Sequence, residues 1–111
     1  MEQQRLEYHR IIREHLSTAY LLPEEKIENV LPRFLESLQK LIHDLERIAE
    51  TESREALGRV GHAIKGALLN LGLKELAAIA FTLEQNCRTA DFELNCAQII
   101  AELKKEISKI V

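Results

Sequence analysis

Hydrophobic residues recur along this chain with the period of an α-helix, and no useful length shows the alternation of a half-buried strand. The clearest run is Ile27, Leu31, Phe34, Leu38, Leu41, Leu45 and Ile48, at spacings of 4, 3, 4, 3, 4 and 3. It predicts one long helix with an apolar stripe sustained over about 22 residues. Leu35 and Ile42 widen the stripe, so this helix should meet neighbours on two sides. Pro23 followed by Glu24 and Glu25 suits its first turn: proline needs no donor there, and acids favour the positive end of the helix dipole. Pro32 falls within the stripe and should kink the helix rather than end it.

Leu6, Ile12, Leu16 and Ala19 mark a shorter helix upstream, so residues 1–22 should form an N-terminal helix and turn, and 23–111 a core bundle. Thr51 to Ser53 reads as a boundary with a capping residue, and Glu52 and Glu55 suit the start of the next helix. That third helix should run to about Leu71 and stop at Gly72, the residue type favoured for a left-handed helix end. A fourth carries Leu76, Ile79, Ala80, Leu83 and Cys87. Asp91 is the expected cap of a fifth, with Leu94, Ala97, Ile100, Leu103, Ile107 and Ile110 facing inward. The fold class is therefore all-α: an antiparallel four-helix bundle with an additional short N-terminal helix, one domain over residues 1–111.

Bulk properties narrow the function. A chain of 111 residues can bury one core. Its 46% hydrophobic and 30% charged residues are an ordinary globular balance. The formal charge of −3, with no basic run, gives no reason to expect a nucleic-acid partner. No apolar run approaches the ~20 residues that span a bilayer, and the charged N-terminus is no signal peptide. Cys87 and Cys96 match no metal or redox spacing and read as reduced thiols or an incidental pair. The expected setting is the cytoplasm, with no membrane partner.

The chemistry concentrates in "GHAIKGALLNLG", residues 61–72. At about 100° per residue, Leu57, Val60, Ile64, Leu68 and Leu71 cluster within roughly 80°, and their centre lies about 160° from His62. His62 thus points away from its own helix's core stripe. Gly58 and Gly66 sit four residues before and after it on the same face, and Leu69 follows seven residues on. Each glycine costs about 1 kcal/mol against alanine in a helix. The return is access: a partner's backbone or a phosphoryl group can approach the imidazole closely. Lys65, three residues on, offers a point charge suited to phosphate. Hairpin symmetry about Gly72 adds Glu84. His62 lies about 15 Å before the turn and Glu84 about 18 Å after it, at similar height. A carboxylate there can accept a hydrogen bond from Nδ1–H of His62, leaving Nε2 as the nucleophile. Gln85 points further out and is the weaker candidate.

"HAIKGALLNLG" resembles the H-x-x-K-G-(S/A)-x-x-x-x-G signature of histidine phosphotransfer (HPt) domains, with His62, Lys65, Gly66, Ala67 and Gly72 at successive motif positions. The likeness extends to Arg88, and the apolar pattern from about Ile27 agrees with it. It implies that His62 receives a phosphoryl group from the aspartate of a response-regulator receiver domain, such as that of a hybrid histidine kinase, and can pass it on. It implies that Lys65 helps neutralise that group and that Gly66 allows close approach, with Gly58 and Leu69 on the same docking face. Glu84 aligns with a polar position that bonds the active histidine in some members. Two departures stand out: Gly61 where alanine is frequent, which should loosen the helix slightly, and Ala67 where serine is commoner. The family resemblance implies a phosphocarrier rather than an enzyme. No cofactor is expected on this chain, and the Mg²⁺ is expected on the receiver.

Competing readings are a helical module that binds receivers without carrying phosphate, and a self-associating bundle. Exposed Leu35 or Ile42 would favour the latter; a monomer is expected otherwise. A di-iron bundle needs Glu-x-x-His, but the residues three before the histidines are Leu6, Ile12, Lys40 and Arg59, so no metal site is expected. His9, His15 and His43 have no motif around them and are expected at the surface or at helix borders. The starting Met1 and the lack of a linker favour a free-standing shuttle.

Overall fold

A computed structural model describes residues 2–51, 53–87 and 92–111, with side chains in the last stretch from Cys96 onward. Among these residues there are five α-helices and no strand: α1 (Glu2–Ala19), α2 (Glu24–Thr51), α3 (Arg54–Asn70), α4 (Lys74–Asn86) and α5 (Phe92–Ser108). Helices α2 to α5 form the bundle. Helix α3 packs between α2 and α4, α4 reaches α5, and α5 touches α2, while α1 makes a smaller contact with α2. Short connections make sequence neighbours antiparallel.

The long stripe is buried as its spacing demands. Ile27, Leu31, Leu38, Ile42 and Leu45 are buried, and Phe34, Leu35, Leu41 and Ile48 pack partly against them. Helix α2 runs unbroken through Pro32. Pro23 stands one residue outside the first turn, where its carbonyl accepts from the Lys26 and Ile27 amides. Since Ile42 is buried and Leu35 packs against the core, neither offers the open face that self-association along this stripe requires. No helix of the described residues is long and apolar enough to cross a membrane.

Helix α1 occupies the stretch expected for an N-terminal helix and turn, with 18 helical residues. Only Ile12 and Leu16 are buried in it, while Leu6 and Ala19 are exposed. Its first half is extended by good helix formers and by Arg10, which pairs with both Glu7 and Glu14 one turn away on either side. In α5, Ala97 is exposed and Cys96 is buried, so the inward stripe runs through Cys96, Leu103, Ile107 and Ile110. Glu52, Arg88, the Asp91 cap and the Leu94 side chain lie outside the described residues.

The α3–α4 hairpin positions the site. Ser53 caps α3, its hydroxyl accepting from the Ala56 amide. Leu71 forms the C-cap, and Gly72 follows at φ +78°, as the left-handed helix stop requires. The Leu73 amide bonds back to the Leu68 carbonyl and the Gly72 amide to that of Leu69, both at 3.0 Å, and Leu68 and Leu73 are buried together. A second reason for glycine here was not legible in the local sequence: a Cβ on Gly72 would stand 2.5 Å from Cγ of His15. His15 in turn makes an edge-to-face contact with Tyr20. The N-terminal helix is thus wedged over this turn. At its other end, Tyr8 donates to Glu106 at 2.8 Å and the His9 ring bonds the Ile110 carbonyl, tying α1 to the end of α5.

Candidate functional site

His62 leaves α3 on the side away from Leu57, Val60, Ile64 and Leu68, which fill the core. Its side chain is 67% exposed. Glu84, on α4, is opposite in character: it is a buried charged residue, only 6% exposed. The two meet across the hairpin, with Nδ1 of His62 2.8 Å from Oε2 of Glu84. A carboxylate accepts, so this contact assigns the ring proton to Nδ1 and turns Nε2, with its lone pair, to solvent.

A buried carboxylate is costly unless its charge is compensated. Lys65 supplies that charge: its Nζ donates to Oε1 of Glu84 at 2.9 Å. Glu84 is therefore held below the ordinary carboxylate range, first by the hydrogen bond from Lys65 and further by that from His62, against the opposing effect of burial. The Lys65 ammonium also lies 5.0 Å from the centroid of the Phe81 ring. Rather than standing free beside the imidazole, Lys65 is joined to it through Glu84.

The glycines divide into two kinds. Around Gly66 an added Cβ would meet nothing within 4 Å, so the face beyond His62 is open. Gly58 is different from the expected open step: a Cβ there would lie 3.3 Å from Cβ of Cys87. It brings α3 and α4 close, as does buried Gly61, whose Cβ would stand 3.5 Å from the Glu84 amide and the Leu83 side chain. That proximity allows a glutamate on one helix to reach a histidine on the other. Gly72 is the helix stop already described. Leu69 is exposed (46%), and so is Phe81 (45%). Phe81 was not singled out by the sequence. Its available signal was a large aromatic three residues before Glu84 and off the apolar stripe of α4. Gln85 is exposed, beside the contact rather than in it.

A groove of about 820 Å³ opens beside the imidazole, lined by Arg54, Glu55, Gly58, Arg59, His62, Glu84 and Cys87. Cys87 and Cys96 are free thiols. Burial pushes Cys87 up to about 11, with neighbouring Cys96 adding to the effect. Thiols held protonated in this way are poor nucleophiles and poor metal ligands. Among the described residues no group of three or more histidines, cysteines or acids is arranged to hold a metal ion.

The arrangement suits nucleophilic attack by Nε2. As Nε2 forms a bond, the ring gains positive charge, and an ionised carboxylate already sits on Nδ1–H to stabilise it.

A family model described as "Hpt domain" matches residues 29–111, most of the chain. No curated protein and no solved structure matches.

Proposed function

The chain belongs to the Hpt domain family, and from that membership we propose that it is a phosphorelay intermediate carrying a phosphoryl group on Nε2 of His62. Hpt domains are phosphocarrier modules of two-component signalling, not catalysts, and they interact with response-regulator receiver domains. In this reading the Nε2 lone pair attacks the phosphorus of a receiver's aspartyl phosphate. The N–P bond forms as the P–O bond breaks, and the aspartate leaves as a carboxylate. The positive charge that appears on the ring is met by Glu84. The reverse step delivers the group to another receiver. Mg²⁺ belongs to the receiver and supplies charge neutralisation at its aspartate.

One observation carries the proposal: the 2.8 Å contact between Nδ1 of an exposed histidine and a buried, charge-compensated carboxylate. An ordinary surface histidine has no such support. Leu69 and Phe81 give the surrounding face an apolar component for docking, and Gly66 leaves room for it. The test is transfer of radiolabelled phosphate from a phosphorylated receiver, in Mg²⁺, to the native chain and to His62→Gln. The expected label is confined to the native chain, acid-labile and alkali-stable. Binding of receivers without any label on His62 would replace the relay with a non-phosphorylated interaction module.

A further inference from the structure

Lys65 is the residue expected to meet the phosphoryl group, yet its ammonium is engaged by the same carboxylate that binds Nδ1 of His62. Nδ1 of His62 and Nζ of Lys65 bind the two oxygens of one carboxylate, at 2.8 and 2.9 Å. The ammonium is therefore tied to the carboxylate that holds Nδ1. Nε2 occupies the other side of the five-membered ring, and a phosphoryl group bound there projects away from Glu84. Lys65 is also one-fifth exposed and lies against the Phe81 ring, and leaving Glu84 would cost the carboxylate the hydrogen bond that does most to hold it ionised.

Another cation lies within neighbour distance of His62 on the helix surface. A helical side chain leans over the turn that precedes its own Cα, so the His62 ring lies over the turn of Gly58 and Arg59. Arg59, three residues before His62, is within neighbour distance on the helix surface. Both residues line the same groove. The Arg59 guanidinium pairs with Glu55 at 3.5 Å, with the two side chains 74% and 84% exposed. Such a pair holds its partners weakly. The guanidinium is thus available to turn toward a dianionic group, whose oxygens match its planar fork.

We propose that Arg59, not Lys65, is the residue of this chain that contacts the phosphoryl group on His62, while Lys65 acts as a positioning residue that keeps Glu84 ionised. The inference rests on the phosphocarrier reading of His62. It assigns to Arg59 a charge-assisted contact made only when phosphate arrives.

The experiment uses phosphoramidate as the donor, so that docking of a partner protein plays no part. Nε2 attacks its phosphorus, the donor's P–N bond breaks and ammonia leaves. Native chain, Arg59→Ala, Arg59→Lys and Lys65→Ala are compared by rate of phosphorylation, by the ³¹P resonance of phospho-His62 and by its hydrolysis rate. Circular dichroism checks that each variant is folded. Arg59→Ala is expected to slow phosphorylation about tenfold, the size of one charge-assisted hydrogen bond at an exposed site, and to shift the ³¹P resonance. Arg59→Lys should recover part of the rate. Lys65→Ala should leave the ³¹P resonance near its native position while moving the Nδ1 nitrogen resonance of the unphosphorylated ring. A native rate and an unmoved ³¹P resonance in Arg59→Ala would overturn the inference, as would a large ³¹P shift in Lys65→Ala alone. Failure of the native chain to label at His62, from this donor and from a receiver alike, would instead remove the phosphocarrier reading on which it rests.

Discussion

Lys65 acts on His62 without touching it: the two side chains hold opposite oxygens of the Glu84 carboxylate, at 2.9 and 2.8 Å. The motif spacing that places a lysine three residues after the histidine thus has a structural meaning beyond a local positive field. The lysine makes a buried carboxylate affordable, and the carboxylate sets the tautomer of the ring.

Glu84→Gln removes the charge while keeping the shape. The amide no longer compensates positive charge on the imidazole, and Lys65 loses its anion. A charge-assisted hydrogen bond is worth about 1.5–3 kcal/mol, so transfer from a phosphorylated receiver should slow about ten- to hundredfold. Initial rates of labelling under matched Mg²⁺ check this, and an unchanged rate would show that Glu84 does not assist the ring.

Acid should loosen the same contact. Glu84 titrates below its ordinary value of 4.5 because Lys65 and His62 bond its ionised form. A group depressed in the folded state contributes stability that is present above its unfolded value and lost as pH falls through the folded one. Urea unfolding of the native chain should therefore weaken below about pH 4.5, and Glu84→Gln should show a smaller loss over the same window. Parallel curves for the two proteins would contradict the pairing.

The glycines at 66 and 72 should respond in opposite directions to alanine. Gly66 has open space around it, so Gly66→Ala should stabilise the fold by about 0.5–1 kcal/mol through helix propensity while slowing transfer from a receiver that must approach that face. Gly72→Ala must hold a left-handed backbone at about 1–2 kcal/mol, and its methyl group meets the His15 ring. Adding His15→Ala should recover only the crowding part. Thermal melts of the three variants separate these effects.

Alkali tests how α1 is fastened. Burial and the bond to Glu106 push Tyr8 up to about 12. A phenol raised in the folded state contributes stability that is complete below its unfolded value near 10 and is lost as pH rises toward 12. Absorbance titration near 295 nm should find one tyrosine, absent from Tyr8→Phe, that ionises only at the top of this window. Ionisation near pH 10 would mean that the Tyr8–Glu106 contact does not hold.

What was legible in the sequence follows from periodicity, and what was not follows from tertiary contact. The long α2 stripe, the Gly72 stop and the outward direction of His62 are set by helical spacing, so they could be derived. Glu84 could be placed because hairpin symmetry fixes its height. Its burial could not, since it depends on how closely Gly58 and Gly61 let α3 approach α4, and the bond from Lys65 follows from that burial. Phe81 was passed over because its role lies in a contact with a residue on the other helix. The first turns of α1 are held by propensity and ion pairs rather than by an apolar stripe, so the exposure of Leu6 was not legible.

The most direct test is to phosphorylate the chain from a labelled receiver and identify the nitrogen that carries the phosphorus, by ¹⁵N-histidine and ³¹P NMR. The account predicts one phosphohistidine, at Nε2 of His62, absent from His62→Gln, with the Nδ1 proton still hydrogen-bonded. Phosphorus on Nδ1, on His9, His15 or His43, or on no histidine at all would contradict it.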